Sequence, residues 1–446
     1  MKTYQDYEKA PDKLEFIKAA INEYKNSDEY KIAVIADEYE RQQNTTIRQY
    51  AKKLYDGAGR QVTDITSSNN RLCCNLFHRL NTQRCAYSLG NGIFFADDGQ
   101  MKQKFGVDFD TELNSAAYKA LIHGISYVFW NLDRAYVFPA TEFCPLWDEY
   151  DGTLRAGIRF WSIDWTKRPV TAVLYTEEGI TKYRTKDGSS GMDLVEIEPQ
   201  RAYRQTVAAT AADGEEIIGE SNYGSLPIVP LWGSKHKQST LVGMREKIDS
   251  YDLIQSGFAN DLEDCAEIYW IIGNALGMDD NDIAAFRDRM KLQHVAVADT
   301  DNSSVTPYVQ DIPVTARAEF LKEIRASIYE DFGAMDVHTV AAGATNDHID
   351  AAYQPMDEEA DDFEYQISQC VLQLERLNGW DELLPQFKRN RISNQYEQTQ
   401  MIMLAAEHLD EETLLNKLGW VSVDETKRIL EAKDSESYER FEEEEE

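Results

Sequence analysis

Apolar residues recur at helical spacing in the first part of the chain. One stretch has its apolar residues at Leu14, Ile17, Ile21 and Tyr24. A second has them at Leu72, Leu76, Leu80 and Tyr87, again at intervals that fit a helix. Such intervals place side chains on one face of a helix. The pattern predicts a charged helical arm up to Asn70, a helix from Asn70 to Leu89 that ends at Gly90, and another helix from Asp110 to Gly124.

The pattern then changes to short runs that are rich in aromatic and β-branched residues. The five runs are Ser126–Trp130, Ala135–Phe138, Ala156–Asp164, Val170–Tyr175 and Ile180–Arg184. Turn-forming pairs stand between runs at Asp151-Gly152 and after them at Asp187-Gly188. Runs of this length and composition, bounded by such turns, predict a meander of antiparallel strands.

Two long helical patterns bracket a compact insert in the second half of the chain. Apolar positions three or four residues apart predict one helix from Ser239 to Asp264, and a second that has Thr315 as its N-cap and ends at Gly333. Four short elements are predicted between them, strand Glu267–Ile272, helix Asp280–Leu292, strand His294–Ala298 and strand Val305–Val309. We therefore expect two long helices joined by a small α/β module.

The segment after the second long helix lacks a clear period. Residues Met335 to Asp350 include Gly343 among small residues, which predicts a loop. A helix is predicted from Ala351 to Asn378, and three shorter helices follow at Gln395–His408, Glu411–Leu418 and Asp424–Ala432. The chain ends in five glutamates, Glu442 to Glu446, which repel one another and predict disorder. The expected fold class is α+β and mainly helical.

Length and charge narrow the classes of function. A chain of 446 residues predicts about three packed units. It has 46 lysines and arginines against 79 aspartates and glutamates, a net charge of −33, which opposes tight binding of duplex DNA by a basic face. Six cysteines without a C-x-x-C pair predict free thiols. Residues Met1 to Tyr30 have no signal-peptide pattern, and no run of about 20 apolar residues predicts a membrane span.

Three groups of residues could carry chemistry. Cys74, His78 and Cys85 fall near one helical face and could hold zinc, although small cysteines packed in a buried face explain them better. His338 and His348 flank Gly343, and one of them could act as a general base. We predict no metal, because no fourth ligand follows at zinc-finger spacing.

The third group is an acidic cluster on the helix that is predicted after the loop. Its members are Asp357, Glu358, Glu359, Asp361, Asp362 and Glu364. They could bind two metal ions as in nucleases, but six acids in eight helical residues point in many directions. A solvated helix face or a subunit contact explains them better. The chain has neither a G-x-S-x-G elbow nor a phosphate-binding G-x-x-x-x-G-K-[ST] motif, so we predict no catalytic residue and no cofactor.

The order of these parts resembles the portal proteins of tailed bacteriophages, from about Asn70 to Ala432. The matching pieces are short, and they are Asn70-Arg71-Leu72 with Tyr87-Ser88-Leu89-Gly90-Asn91, Gly124-Ile125-Ser126-Tyr127, Phe138-Pro139, Leu226-Pro227-Ile228-Val229-Pro230-Leu231, Ser239-Thr240-Leu241 and Ile248-Asp249-Ser250-Tyr251-Asp252. The sequence departs from the family at Thr345-Asn346-Asp347-His348, where many relatives have a Ser-Gly pair. The order of the pieces carries the resemblance.

The resemblance implies a division of the chain into portal domains. They are a wing (1–238), a first stem helix (239–265), a clip (266–314), a second stem helix (315–334), a tunnel loop (335–350), a long wing helix (351–380), and a crown with a disordered acidic tail (381–446). The same resemblance implies a ring of twelve subunits at one vertex of the capsid, through which double-stranded DNA is packaged and ejected.

The resemblance also implies partners and site residues. The partners are further copies of the chain, double-stranded DNA, the terminase motor, the head-to-tail adaptor, and the major capsid and scaffolding proteins. Three sets of residues are implied: Gly343, Ala344, Thr345, Asn346, Asp347 and His348 at the DNA channel, Tyr269, Trp270 and Phe286 for clip partners, and Leu241, Met244, Ile248, Tyr251, Leu321, Ile324 and Ile328 for stem subunit contacts. The expected location is the virion, after assembly in the host cytoplasm, without a membrane partner.

Two hypotheses from other classes remain open on the sequence alone. A metal-dependent DNA-processing enzyme would use the acidic cluster around Asp357. An acidic scaffold or DNA-mimic protein would explain the net charge, but it would not need the order of helix, insert and helix.

Overall fold

The computed structural model describes most of the chain in eleven continuous ranges. These are residues 1–55, 59–63, 68–97, 99–162, 170–186, 193–210, 214–264, 269–273, 304–308, 314–336 and 345–391, with single residues at 400, 404, 428 and 429. The predicted helix Asp280–Leu292, the strand His294–Ala298, nearly all of the C-terminal helices and the acidic tail lie outside the described residues.

Ten helices form in the described part of the chain. In chain order, α1 to α10 are Tyr4–Lys9, Lys13–Asn26, Asp28–Glu40, Thr45–Gln49, Leu76–Leu89, Gln100–Phe105, Phe109–His123, Arg245–Asp264, Val314–Phe332 and Asn346–Asn378. None of these helices is long and apolar enough to cross a membrane. Helix α7 ends at Gly124, whose φ is +87°, and a Cβ there would lie 2.7 Å from the backbone of Gln238 and Ser239. Only glycine fits that position.

Sixteen short strands pair in antiparallel fashion within the described residues. In chain order, β1 to β16 are Lys53–Tyr55, Gln61–Thr63, Ile93–Phe94, Ile125–Asn131, Arg134–Pro139, Phe143–Trp147, Leu154–Trp161, Thr171–Thr176, Gly179–Thr185, Leu194–Arg201, Arg204–Thr210, Gly214–Ser221, Ile228–Trp232, Tyr269–Gly273, Ser304–Tyr308 and Gln386–Phe387. Strands β6 to β10 form a five-stranded meander in chain order, and a three-stranded sheet has the order β13-β4-β5. The predicted meander is confirmed for β7, β8 and β9, but β4 and β5, which the sequence placed in the same meander, form a separate sheet with β13. The strands that the sequence missed are β1, β2, β3, β6, β10, β11, β12, β13 and β16.

The described chain divides into two compact units. Unit 1 comprises Met1–Asp37, Arg79–Val242 and Tyr329–Glu446, and unit 2 comprises Glu38–His78 and Gly243–Ile328. Residues 38–78, which the sequence assigned to the wing, therefore belong to the same compact unit as α8 and most of α9. The polar contacts described below explain why.

Unit 1 is layered around the three-stranded sheet, because strand β4 buries side chains on both of its faces. Val128 and Trp130 lie in a core with residues of helices α7 and α10, among them Phe363 of α10. Tyr127 and Phe129 point the other way, into a second core that joins the three-stranded and five-stranded sheets. Successive residues of a strand point to opposite faces, so a run without polar residues fits a strand that is buried on both sides.

Helix α2 covers the outer face of the five-stranded sheet. Ile17 and Ile21 are fully buried and pack with Leu146 and Ile158 of that sheet. The hydroxyl of Tyr24 donates a hydrogen bond of 2.7 Å to the carbonyl oxygen of Ala140. The predicted spacing of apolar positions in the arm thus forms a packed helix, although the arm stays helical only to Gln49 and then enters the β1–β2 hairpin.

Four predicted helix starts differ from the structure. Helix α9 begins at Val314, so Thr315, which was predicted as its N-cap, lies inside the helix. The helix predicted from Asn70 begins at Leu76, because the preceding residues are extended along α8. The first long helix begins at Arg245 rather than Ser239, after Gly243 with a φ of +83°. The helix predicted from Ala351 begins at Asn346, since Ile349 is buried on its inner side.

Candidate functional site

The two long helices of unit 2 pack side by side in opposite directions. Lys247 Nζ of α8 donates to Ser327 Oγ of α9 at 2.6 Å, and Arg317 of α9 forms an ion pair with Asp261 of α8. The residue numbers rise along one helix as they fall along the other, so the helices are antiparallel. With 20 and 19 residues, each is about 30 Å long.

The seven residues predicted for stem contacts fall into two classes. Four are buried within the single chain, namely Leu241, Met244, Ile248 and Ile328. The other three, Tyr251, Leu321 and Ile324, are half-buried. In the single chain, the four buried residues leave little apolar area for a neighbour, whereas the three half-buried residues leave some.

Helix α9 is exposed over most of its first three turns. Val314 is 47% exposed and Phe320 is 45% exposed, although both are large apolar residues. On α8, Leu262 is 52% exposed. Exposed apolar groups on one helix pair are typical of an interaction surface.

A polar ladder joins α8 to the extended segment before α5. The backbone N–H groups of Asn70, Leu72 and Cys74 donate to side-chain oxygens of α8 at 2.6, 2.9 and 2.8 Å. The acceptors in that order are Asn260, Ser256 and Asp252, and all three are buried. Two residues of extended chain advance about 6.6 Å and four residues of helix about 6.0 Å, so the two spacings match.

Two carboxylates of α8 also bind residues at the end of α3 and the start of α4. Asp249 accepts hydrogen bonds from the hydroxyl of Tyr39 and, at 2.7 Å, from Thr46 Oγ1. Asp252 accepts a hydrogen bond from the side-chain amide of Asn44. Burial raises the pKa of Asp252, against the opposing effect of the bonds from Asn44 and Cys74. These contacts explain why residues 38–78 belong to unit 2.

In unit 1, helix α10 begins directly after the predicted tunnel loop. Thr345 is its N-cap residue, and Thr345 Oγ1 lies 2.7 Å from His348 Nδ1 in a hydrogen bond. The inner face of this helix packs Ile349 and Tyr353 against Tyr87, and the Tyr87 and Tyr353 rings stack with centroids 5.5 Å apart. The first turns of α10 are thereby fixed to helix α5.

The acidic face of α10 is neutralised by two arginines that follow β16. Arg389 donates to Asp357 at 2.9 Å, to Glu364 at 2.9 and 3.0 Å, and to Asp361. Arg391 bonds Asp357, and also Asp350 at 3.2 Å. The sequence predicted a solvated helix face, but Asp357 and Glu364 are largely buried in an ion-pair network with these arginines. Asp361 and Asp350 belong to the same network and stay solvated, with side chains 71% and 65% exposed. We call this network the arginine clamp.

Tyr87 lies at the centre of the arginine clamp. Its hydroxyl donates to Asp357 Oδ1 at 2.6 Å and accepts from Arg391 Nε at 2.8 Å. Burial raises the pKa of Asp357, but the bonds from Tyr87 and Arg391 outweigh burial and the net direction is downward. The remaining acids of the cluster have other roles, since Glu359 pairs with Arg84 at 3.1 Å and Asp362 accepts from the backbone of Lys235.

The candidate zinc ligands have separate neighbours. His78 Nδ1 lies 2.5 Å from Glu40 Oε1, and Cys85 Sγ lies 3.1 Å from Asn114 Oδ1. Burial raises the pKa of the Cys85 thiol to about 12 and raises that of Cys74 further, which favours neutral thiols over metal-binding thiolates. Among the residues that the structure describes, no group of three or more histidine, cysteine and acidic side chains could hold a metal ion.

The other predicted site residues are only partly described. Gly343, Ala344, Phe286 and His338 lie outside the described residues. Tyr269 and Trp270 lie on β14, opposite Tyr308 and Pro307 of β15. Asn346 and Asp347 open α10 with His348. The described part of the tunnel segment is thus a helix start, where the sequence predicted loop up to Asp350.

Arg389 and Arg391 were not predicted as site residues from the sequence. A signal was present, because Asp350, Asp357, Asp361 and Glu364 follow intervals of seven, four and three residues and share one helix face. Two arginines at i and i+2 in an extended segment reach the same side. Strand β16 brings them there by pairing Gln386 with Phe94 and Phe387 with Ile93, a contact about 290 residues apart that no local pattern predicts.

Comparison with known proteins matches most of the chain to one family. A family model described as phage portal protein, SPP1 Gp6-like, matches residues 33–439. The portal protein of Bacillus phage SPP1 is 25% identical over 327 residues, which cover 70% of this chain and 62% of that protein. The portal protein of Clostridium phage phiCD119 is 24% identical over 252 residues, 53% of this chain and 56% of that protein. The chain therefore spans about three fifths of the length of these relatives.

Two solved structures give distant matches. A chain from the neck of a native gene transfer agent particle, computed with C12 symmetry, is 11% identical with a TM-score of 0.41, and the match covers 77% of this chain and 89% of that one. A chain from the neck of an empty particle, computed with C6 symmetry, is 10% identical with a TM-score of 0.44, covering 77% and 90%.

Proposed function

The chain belongs to the phage portal protein family of the SPP1 Gp6-like type, and from this premise we propose that it forms the ring-shaped channel at one capsid vertex. In this proposal, double-stranded DNA enters the capsid through the ring during packaging and leaves through it during ejection. The family match over residues 33–439 is the observation that carries the proposal. The ring has twelve subunits by resemblance to the family, and it is a structural part of the virion rather than an enzyme.

Ring closure in this proposal uses the long helices of unit 2. Exposed apolar groups such as Phe320, together with half-buried Tyr251, Leu321 and Ile324, supply the subunit contact. A contact between two different surfaces, repeated around an axis, closes into a ring. The helices then need neighbours to cover apolar area that one chain leaves in water.

The net charge of −33 supports passage of DNA through such a channel. A basic wall would bind each phosphate by counterion release and would hold the duplex in place. An acidic wall repels the phosphates, so the duplex moves without tight contacts.

The tunnel segment is proposed to line the narrow part of the channel. It comprises Gly343, Ala344, Thr345, Asn346, Asp347 and His348. The described end of this segment is anchored, because the Thr345–His348 bond and buried Ile349 hold the first turn of α10. An anchored helix start gives the preceding residues a fixed point from which to contact DNA by shape and by uncharged polar groups.

The clip, residues 266–314, is proposed to contact the terminase motor and later the head-to-tail adaptor. It contains Tyr269, Trp270 and Phe286, and its β14–β15 pair connects the two antiparallel helices. Major capsid and scaffolding proteins would surround the rest of the ring, and assembly would take place in the host cytoplasm. The metal-dependent nuclease hypothesis loses its support, since the arginine clamp occupies Asp357, Asp361 and Glu364.

Tunnel-segment variants test the DNA channel separately from assembly. Ala344→Trp with Thr345→Trp should leave ring formation intact and give capsids that fill poorly, because bulky groups narrow the path of the duplex. Leu384→Trp is a matched control, since Leu384 is 67% exposed and lies away from the tunnel segment in sequence. The measurement is the DNA content of purified capsids together with the ring fraction. Normal filling by the tunnel variant would remove this segment from the DNA path.

A further inference from the structure

Unit 2 carries a basic segment within an acidic chain. Residues 41–71 contain six lysines or arginines and two aspartates, a local net charge of +4, whereas the whole chain carries −33. Helix α8, which is bonded to this segment, has six acidic and two basic residues, a net charge of −4.

The structure places most of these cations at the surface, where Arg41, Arg48, Lys53, Arg60 and Arg71 are exposed. We call these five residues the basic surface. Arg71 Nη1 donates to the backbone oxygen of Arg48 at 2.6 Å, which holds Arg71 at the end of helix α4. None of Arg41, Arg48, Lys53 or Arg71 forms an ion pair with a carboxylate of the described residues. Cations without local carboxylates are available to an external anion.

Large apolar side chains lie within the same segment or directly after it. Tyr50 is 42% exposed, Val62 is 51% exposed and Leu72 is 40% exposed. A phosphate backbone gains little from aliphatic groups, whereas protein interfaces combine apolar area with arginine. The mixture therefore favours an acidic protein surface over nucleic acid as the partner.

We propose that the basic surface docks on an acidic surface of a second copy of this chain. The inference rests on the proposed ring and deepens it, because identical subunits of charge −33 repel one another and need a locally attractive contact. In a ring, each subunit presents one surface to one neighbour and a different surface to the other. Two different surfaces of this kind are available if one side of the subunit presents the basic surface and the other side presents acidic residues from the rest of the chain.

The ladder contacts fix Arg71 of the basic surface to helix α8, which is proposed to take part in the subunit contact. Asn70 and Leu72 flank Arg71 in sequence, and their N–H groups bond Asn260 and Ser256 of α8. The position of Arg71 therefore follows that of α8. This continuity supports a neighbouring subunit as the source of the acids.

Charge reversal tests the basic surface in the full-length chain. Arg48→Glu with Arg71→Glu should raise the protein concentration at half-assembly at least tenfold at about 0.1 M salt, measured by sedimentation velocity. Lys9→Glu with Lys31→Glu is the matched control, because it changes the net charge by the same amount at exposed positions of α1 and α3. A second pair, Arg41→Glu with Lys53→Glu, alters side chains that make no hydrogen bond or ion pair within the described residues, so misfolding is not expected.

Salt distinguishes an electrostatic contact from a folding defect. The Debye length is about 10 Å at 0.1 M and about 3 Å at 1 M, so the deficit of both charge-reversal pairs should shrink as salt rises. Equal assembly of these pairs and the control at every salt concentration would overturn the inference. Loss of wild-type binding to a DNA duplex in the variants, without any change in assembly, would also overturn it and assign the surface to nucleic acid. If wild-type protein itself forms no rings, the proposed function fails instead.

Discussion

Arg389 donates to carboxylates on three successive turns of α10, and its side chain is 22% exposed. Removal of a charge-assisted donor leaves partly buried carboxylates close together without a counterion. We expect Arg389→Ala to lower the free energy of unfolding by about 1–3 kcal/mol, and Arg389→Lys to recover only part of the loss because lysine cannot donate in a fork. Urea unfolding followed by circular dichroism measures both.

The control for this prediction is Arg376→Ala. Arg376 makes two bonds of 2.8 Å to Glu382, but both side chains are about half exposed. Exposed ion pairs contribute little to stability. Equal losses for Arg376→Ala and Arg389→Ala would show that the arginine clamp is no more than a surface contact.

Glu375 makes stability depend on pH. It is fully buried in α10 and accepts one bond, from the Leu383 N–H at 2.9 Å. Burial raises its pKa to about 7 against the opposing effect of the Leu383 hydrogen bond, and the charges of Glu382 and Asp97 add smaller upward effects. A raised carboxyl pKa means that the folded state favours the protonated form. The contribution of Glu375 to the free energy of unfolding is therefore fully present below the unfolded pKa near 4.5, and it is lost as pH rises to about 7.

Glu375→Gln should therefore raise the thermal midpoint at pH 8 by about 2 °C or more, and should change it little at pH 4. The amide keeps an oxygen for the Leu383 N–H and never ionises. Glu358→Gln, an exposed position of the same helix, is the matched control. A gain that is the same at both pH values would rule out ionisation of Glu375 as its cause.

At the scale of elements, local sequence patterns predicted the helices and strands whose formation depends on residues close together in the chain. Strands β4, β5, β7, β8 and β9 were recognisable from alternating or continuous apolar runs, and α9 from its apolar spacing up to Gly333. The start of α5 was missed because the Asn70–Cys74 segment makes its backbone bonds to α8, about 180 residues away. Long-range partners of this kind override the local helical pattern.

The polar ladder gives a prediction about this element. Ser256→Ala removes the acceptor of the Leu72 N–H, so the amide of Leu72 should exchange with solvent about tenfold faster. Ser250→Ala is the matched control, because Ser250 Oγ bonds only to Glu246 of its own helix among the described contacts. Hydrogen exchange that is unchanged at Leu72 would mean that other contacts hold the extended segment.

At the scale of the whole molecule, the order of elements carried more information than any motif. Two long helices around an insert predicted the family, and the match over residues 33–439 confirms it. The arginine clamp and the grouping of residues 38–78 with α8 and α9 could not be predicted, since both depend on contacts between distant parts of the chain. The acidic cluster looked like a solvated surface because its arginines lie 25 to 34 residues further along.

Electron micrographs of the purified full-length protein, with mass from light scattering on the same sample, test the portal assignment most directly. We expect rings with a central channel and a mass about twelve times that of the chain. Assembly should improve from about 0.1 to 0.5 M salt, because salt screens subunits of charge −33. Monomers without rings at micromolar concentration, at every salt concentration tested, would contradict it.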